Sequence, residues 1–167
     1  MLKIIPVTAE TAKLELEKNP GFGEAIGAEV PVNWPPEILA DALGYFYNLL
    51  RENPQNTGWY GWYAIDESSG KPVLAGSIGF FGPPDENGIV ETGYSVLPQF
   101  QNRGLASEMI RQLTNHAFST GKVRFIEAET DHDNTASQKV LIRNGFRLIS
   151  ANNEKYRYRL EKADPQN

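Results

Sequence analysis

The sequence predicts an α/β protein: one mixed sheet with helices on both faces. Two observations carry this. Three alternating stretches over residues 59–66, 72–81 and 89–96, separated by turn signals, read as an antiparallel meander. After Gly104 the apolar period lengthens from that of a strand to that of a helix, and strand–helix–strand order follows. A meander joined to a β-α-β crossover gives a mixed sheet covered on both sides.

The elements follow in order. Residues 3–8 alternate and form a first strand, and Thr8 caps a helix to about residue 18. Residues 19–32, rich in Gly and Pro, read as irregular. Trp34-Pro35-Pro36-Glu37 opens a second helix, because proline is pre-set for a first helical turn. Leu39, Ala42, Leu43, Phe46 and Leu50 continue it at helical spacing until Asn53-Pro54. The run Pro83-Pro84-Asp85-Glu86-Asn87-Gly88 is a turn between the second and third meander strands. Leu105, Met109, Leu113 and Ala117 share a helical face that Gly121 stops. Residues 123–130 form a strand, 135–144 a helix, and 146–149 and 154–160 the closing strands.

The chain has 167 residues, the usual size of one domain. It contains no cysteine, which rules out disulfides, thiolate metal sites and a cysteine nucleophile. No segment approaches the ~18 apolar residues of a membrane helix, so no membrane association is expected. The formal net charge of −5 speaks against nucleic acid as a partner and mildly favours a cationic one.

The most informative segment is Tyr94-Ser95-Val96-Leu97-Pro98-Gln99-Phe100-Gln101-Asn102-Arg103-Gly104-Leu105-Ala106. A strand ends at Val96 and a helix begins near Gly104. The first turn of a helix presents unpaired N–H groups, and its dipole favours negative charge there. Gly104 and Ala106 let a bulky phosphate approach, and Arg103 adds a cation. No Lys follows Gly104, as a P-loop requires, and only one glycine is present where the dinucleotide fingerprint needs three.

Gln101-Asn102-Arg103-Gly104-Leu105-Ala106 resembles the Gln/Arg-x-x-Gly-x-Gly/Ala loop of the GCN5-related N-acetyltransferase (GNAT) superfamily. Asn134-Thr135-Ala136-Ser137 and Asn144-Gly145-Phe146 follow in the family's order, and Glu91-Thr92-Gly93-Tyr94 resembles the ribosomal-protein alanine acetyltransferase (RimJ/RimL-like) branch. The resemblance implies the acyl-CoA N-acyltransferase fold, a mostly antiparallel sheet with one splayed parallel pair. It implies acetyl-CoA as co-substrate and no metal. It divides the chain into acceptor-side helices (1–57), a CoA-binding core (58–162) and a tail (163–167). The expected activity is acetyl transfer to a primary amine of a small molecule or peptide amino terminus, by direct attack in a ternary complex. The expected enzyme is a cytoplasmic monomer or homodimer.

On this resemblance the amides of Gln101, Asn102, Arg103, Gly104, Leu105 and Ala106 take the pyrophosphate. A bulge near Val96 and Leu97 opens the sheet for the pantetheine arm, Asn134 and Ser137 contact that arm, and an N–H of Val96 or Leu97 polarises the thioester. Glu129 and Glu91 are the candidate bases; alternation puts Glu127 and Glu129 on one strand face. Leu141 stands where many relatives carry a tyrosine acid, and Ser137 is the substitute. Trp34 is expected near the acceptor pocket.

Blander roles stand beside these. Asn134 and Ser137 suit helix capping, Glu91 and Glu129 suit cross-strand ion pairs, and His116 and His132 suit the surface. The alternative function is a non-catalytic acyl-CoA sensor.

Overall fold

The computed structural model describes residues 1–163, so the expected tail lies outside the described residues from 164 onward. The elements are β1 (Leu2–Pro6), α1 (Ala9–Leu16), α2 (Phe22–Ile26), α3 (Glu37–Ala40), α4 (Leu43–Glu52), β2 (Gly61–Asp66), β3 (Val73–Phe80), β4 (Ile89–Val96), α5 (Leu105–Ser119), β5 (Phe125–Asp131), α6 (Thr135–Arg143), β6 (Arg147–Ala151) and β7 (Lys155–Glu161). They build a seven-stranded sheet in the order β1-β2-β3-β4-β5-β7-β6. Every neighbouring pair of strands is antiparallel except β4 and β5.

Helices cover both faces, as the sequence predicts. On one, α5 presents Met109, Ile110, Leu113 and Ala117, all fully buried, to Ile78, Val90, Ile126 and Ala128. Each of these side chains larger than alanine contributes about 1.5–3 kcal/mol by leaving water. On the other face, Phe22 and Ile26 of α2 pack on Tyr63, Ile65 and Leu74. Leu50 of α4 joins Ala12 of α1 and Tyr60.

Two expectations fail here. Residues 19–32 are not wholly irregular. The Asn19 side chain accepts from the Gly21 N–H at 2.8 Å, Gly27 ends the turn at φ 71°, and α2 forms between them. Glycine-rich flanks hid the i,i+4 pair Phe22 and Ile26, which is what anchors this short helix. The second helix is broken into α3 and α4. The Ala42 N–H reaches Leu39 instead of Ile38, tightening the turn, and α3 buries no residue in the core. The apolar stripe persists, but Ile38, Leu39, Ala42 and Leu43 line a cleft rather than the core.

Candidate active site

The parallel pair β4–β5 is short. Ile89, Val90 and Glu91 pair with Phe125, Ile126 and Glu127, and pairing stops there although both strands continue. The sheet is therefore parted beside residues 92–96. A cleft of about 420 Å³ occupies the parting. Its walls include Thr92 and Tyr94 from one face of β4 and Gly93 and Ser95 from the other. Alternation places these on opposite sides of the sheet, so the cleft passes through it.

The expected bulge at Val96 and Leu97 is absent. β3 and β4 keep an unbroken register from Gly76↔Val96 to Phe80↔Thr92, and the sheet's irregularities fall elsewhere, between Ala64 and Ile65 and between Leu148 and Ser150. Ending the parallel ladder opens the seam without one. Leu97 is also corrected as a polarising donor: its N–H donates to the Ala75 carbonyl at 2.9 Å. In an antiparallel ladder successive residues bond to opposite sides. Val96 therefore points its N–H into the seam, and its carbonyl on that side accepts from the Gln101 side chain at 3.0 Å.

At one end of the seam, α5 starts without a side-chain cap. The first intrahelical bond there is Glu108 N–H to Gly104 carbonyl, which leaves the amides of Leu105, Ala106 and Ser107 without intrahelical acceptors. Asn102 and Gly104 both adopt positive φ, 62° and 78°, turning the chain sharply into the helix. A Cβ on Gly104 would meet no atom within 4 Å, so open space faces the turn. These residues fit a diphosphate: unanswered N–H groups, a positive dipole end and room. Arg103 is committed elsewhere in part. Its guanidinium donates to Asp66 and to Ser68, both at 2.9 Å, fastening the loop to the end of β2.

At the seam's far wall, Asn134 caps α6 by accepting from the Ser137 N–H at 3.1 Å, which is the blander of its two expected roles. The Tyr94 hydroxyl donates to Ser137 Oγ at 2.9 Å, and both residues line the cleft. Burial, partly offset by this hydrogen bond, raises the Tyr94 phenol above its ordinary pKa. A phenol is thus present although Leu141 replaces the usual tyrosine. Strand alternation could have found it, since Tyr94 shares a face with Thr92.

The expected bases belong to a charged ladder. Arg157 on β7 donates to Glu91 at 2.7 Å, Glu127 at 2.7 Å and Glu129 at 2.8 Å, and Arg159 also binds Glu127. Glu129 lines the cleft; Glu91 is not among its lining residues. Burial opposes charge on Glu127, but the hydrogen bonds from Arg159 and Arg157 outweigh it and hold its pKa below the usual carboxylate value.

Sequence reasoning missed Glu15. On α1 it is 7% exposed and lines the cleft. Its two oxygens accept from Tyr63 hydroxyl and Trp34 Nε1, each at 2.9 Å. Burial raises its pKa, against these two donors. Trp34 stands behind Glu15, outside the cleft's lining residues. An acid on a short helix reads by default as solvated, and only its neighbour Ala12, three residues before, hinted at an inward face. Among the described residues no three His, Asp or Glu side chains converge as a metal site requires.

The sequence profile of the acetyltransferase (GNAT) domain matches residues 5–147. The chain is 33% identical over 123 residues to the uncharacterized N-acetyltransferase YjdG of Bacillus subtilis, covering 74% of this chain and 72% of that protein. Its fold resembles Campylobacter jejuni N-acetyltransferase PseH in complex with acetyl coenzyme A, with TM-score 0.64, 16% identity and coverage of 98% and 100%. It also resembles RimL, a ribosomal L7/L12 alpha-N-protein acetyltransferase in complex with coenzyme A, with TM-score 0.66, 16% identity and coverage of 96% and 93%. Mycobacterium smegmatis RimJ in complex with CoA-disulfide gives TM-score 0.67 at 15% identity, covering 96% and 81%. With a parted parallel pair, an uncapped helix behind it and a family profile spanning most of its length, the chain belongs to the GNAT family of acetyl-CoA-dependent N-acetyltransferases.

Proposed function

We propose that this enzyme passes the acetyl group of acetyl-CoA to a primary amine by direct attack in a ternary complex. The observation that carries the reading is the cleft through the parted β4–β5 seam, with Glu129 in its wall; its β4 lining ends at Ser95, from which the chain runs on to the unanswered amides at the start of α5. The amine nitrogen attacks the thioester carbonyl carbon; the C–N bond forms, the C–S bond breaks, and coenzyme A departs as its thiol. The absence of cysteine supports attack without a cysteinyl intermediate.

The roles follow from placement. Amides of residues 102–106, with Gln101 at the edge, hold the pyrophosphate. Val96 N–H polarises the carbonyl, which favours the developing oxyanion. Glu129 is preferred to Glu91 as the proton acceptor, through water, because it lines the cleft. The Tyr94–Ser137 hydroxyl pair is placed to protonate the departing sulfur. Asn134, while capping α6, keeps its amide NH₂ for the pantetheine arm. A cytoplasmic setting suits a chain without cysteine.

Initial rates over a panel of primary amines test this. Intersecting double-reciprocal lines and one acetyl added per thiol released are expected; parallel lines would end the ternary-complex reading. Tyr94→Phe is expected to lower kcat about 100-fold while leaving the acetyl-CoA KM in place. An unchanged kcat would remove the phenol from the mechanism.

A further inference from the structure

Among the described residues three acidic side chains are buried: Glu15, Asp66 and Glu127. Two have arginine partners, Asp66 with Arg103 and Glu127 with Arg157 and Arg159. Glu15 has none. Its hydrogen-bond partners among the described residues are the neutral donors Tyr63 and Trp34. Both oxygens accept, so the two side chains hold the group as an acceptor and supply no countercharge. A buried carboxylate without a cation is costly and is expected to take a proton or a ligand cation. Burial does raise its pKa.

The cleft shows where a cation would come from. Besides Glu15, its charged lining residues are Glu129, Asp131 and Lys155. Glu129 is paired with Arg157, and Asp131 with Lys155 at 2.5 Å. The carboxyl in the wall without a charged partner among the described residues is therefore Glu15. It lies on the α1 and α4 side of the cleft with Ala12 and Leu50, while Ser137 and Leu141 come from α6, and Phe46 and Tyr47 lie among the apolar lining. A volume of about 420 Å³ suits a small molecule. An acceptor whose reacting nitrogen is in the seam extends its other end toward Glu15.

We infer that Glu15 seats a second cationic group of the acceptor, so that the substrate is a small dicationic amine acetylated at the nitrogen farther from Glu15. This rests on the acetyltransferase reading above. Trp34 acts as a positioning residue by fixing one carboxylate oxygen.

The test uses the full chain with acetyl-CoA, α,ω-diaminoalkanes of three to eight carbons and amino alcohols of matching length. The wild type is expected to prefer the best diamine over its amino alcohol by about 30-fold or more in kcat/KM, the scale of a desolvated charge pair. Glu15→Gln is expected to erase that preference through KM, with the acetyl-CoA KM and circular dichroism unchanged. Trp34→Phe, which keeps an aromatic plate but loses the donor, reduces it by a few-fold and remains informative should Glu15→Gln fold poorly. A preference absent from the wild type, or one surviving in Glu15→Gln, overturns the inference. So does failure to acetylate any diamine while acetyl-CoA still binds by calorimetry. Failure to bind acetyl-CoA at all defeats instead the reading beneath it.

Discussion

Glu127 and Glu15 face the same side of one sheet and are almost equally buried, at 5% and 7% exposure, yet the protein treats them oppositely. Between β5 and β7, Glu127 is clamped by two arginines. Between α1 and β2, Glu15 has a phenol and an indole as its partners among the described residues. The first charge is answered within the fold; the second carboxyl has no cation beside it among the described residues. A similar contrast separates the two longer helices beside the seam. Asn134 caps α6, whereas α5, like the short helices α2 and α3 and like α4, starts without a side-chain cap. A carboxyl without a countercharge and a set of free N–H groups beside the seam thus mark the two halves of the candidate site.

The largest effect is expected where an answered charge is broken. Arg157→Leu strips three carboxylates of a shared partner and should cost about 3 kcal/mol in chemical denaturation. A loss below 1 kcal/mol would mean that the ladder is already solvated and would dissolve the contrast with Glu15. Next comes the uncapped helix. Gly104→Glu places a carboxylate where a diphosphate is expected, and CoA affinity should fall at least 100-fold, about 2.7 kcal/mol. Gly104→Asn tolerates the same left-handed turn without added charge, and it should bind far better than the glutamate variant. Equal binding by the two would place the phosphates elsewhere.

The smallest effect lies in pH. Above the ordinary glutamate pKa of 4.5, an unfolded chain releases the Glu15 proton while the folded chain keeps it. Glu15 therefore lowers stability progressively as pH rises from that value until the folded carboxyl also ionises. Glu127 has the opposite sign: its pKa is depressed, so its contribution is present above 4.5 and is lost as pH falls through the depressed value. The Tm of the wild type minus that of Glu15→Gln should decline from acid toward neutral pH. A constant difference would show that Glu15 is no more buried in energy than the residues around it.

What was legible in the sequence is what local chemistry dictates. β4 matches its expected bounds, because alternation, the turn run before it and Pro98 after it agree. The sharp turn into an uncapped α5 was readable because Gly104 and the residues flanking it are consecutive in the chain. Glu15 was not, since its partners lie 19 and 48 residues away and only folding brings them together. Tyr94 and Ser137, 43 residues apart, were separately visible but not as a pair. The expected bulge failed for a related reason: a bulge is a local distortion, whereas the opening comes from where two distant strands stop pairing.

Because the cleft passes through the sheet, the proposed reading has donor and acceptor approach the point of reaction from opposite faces. On that reading their contact surfaces barely overlap: the expected cradle lies after residue 93, while Glu15 and the wall formed by residues 38–50 precede residue 51. Exchange of side chains in that first third is then expected to retarget the enzyme without retuning its hold on the donor. It is the place to graft a new specificity.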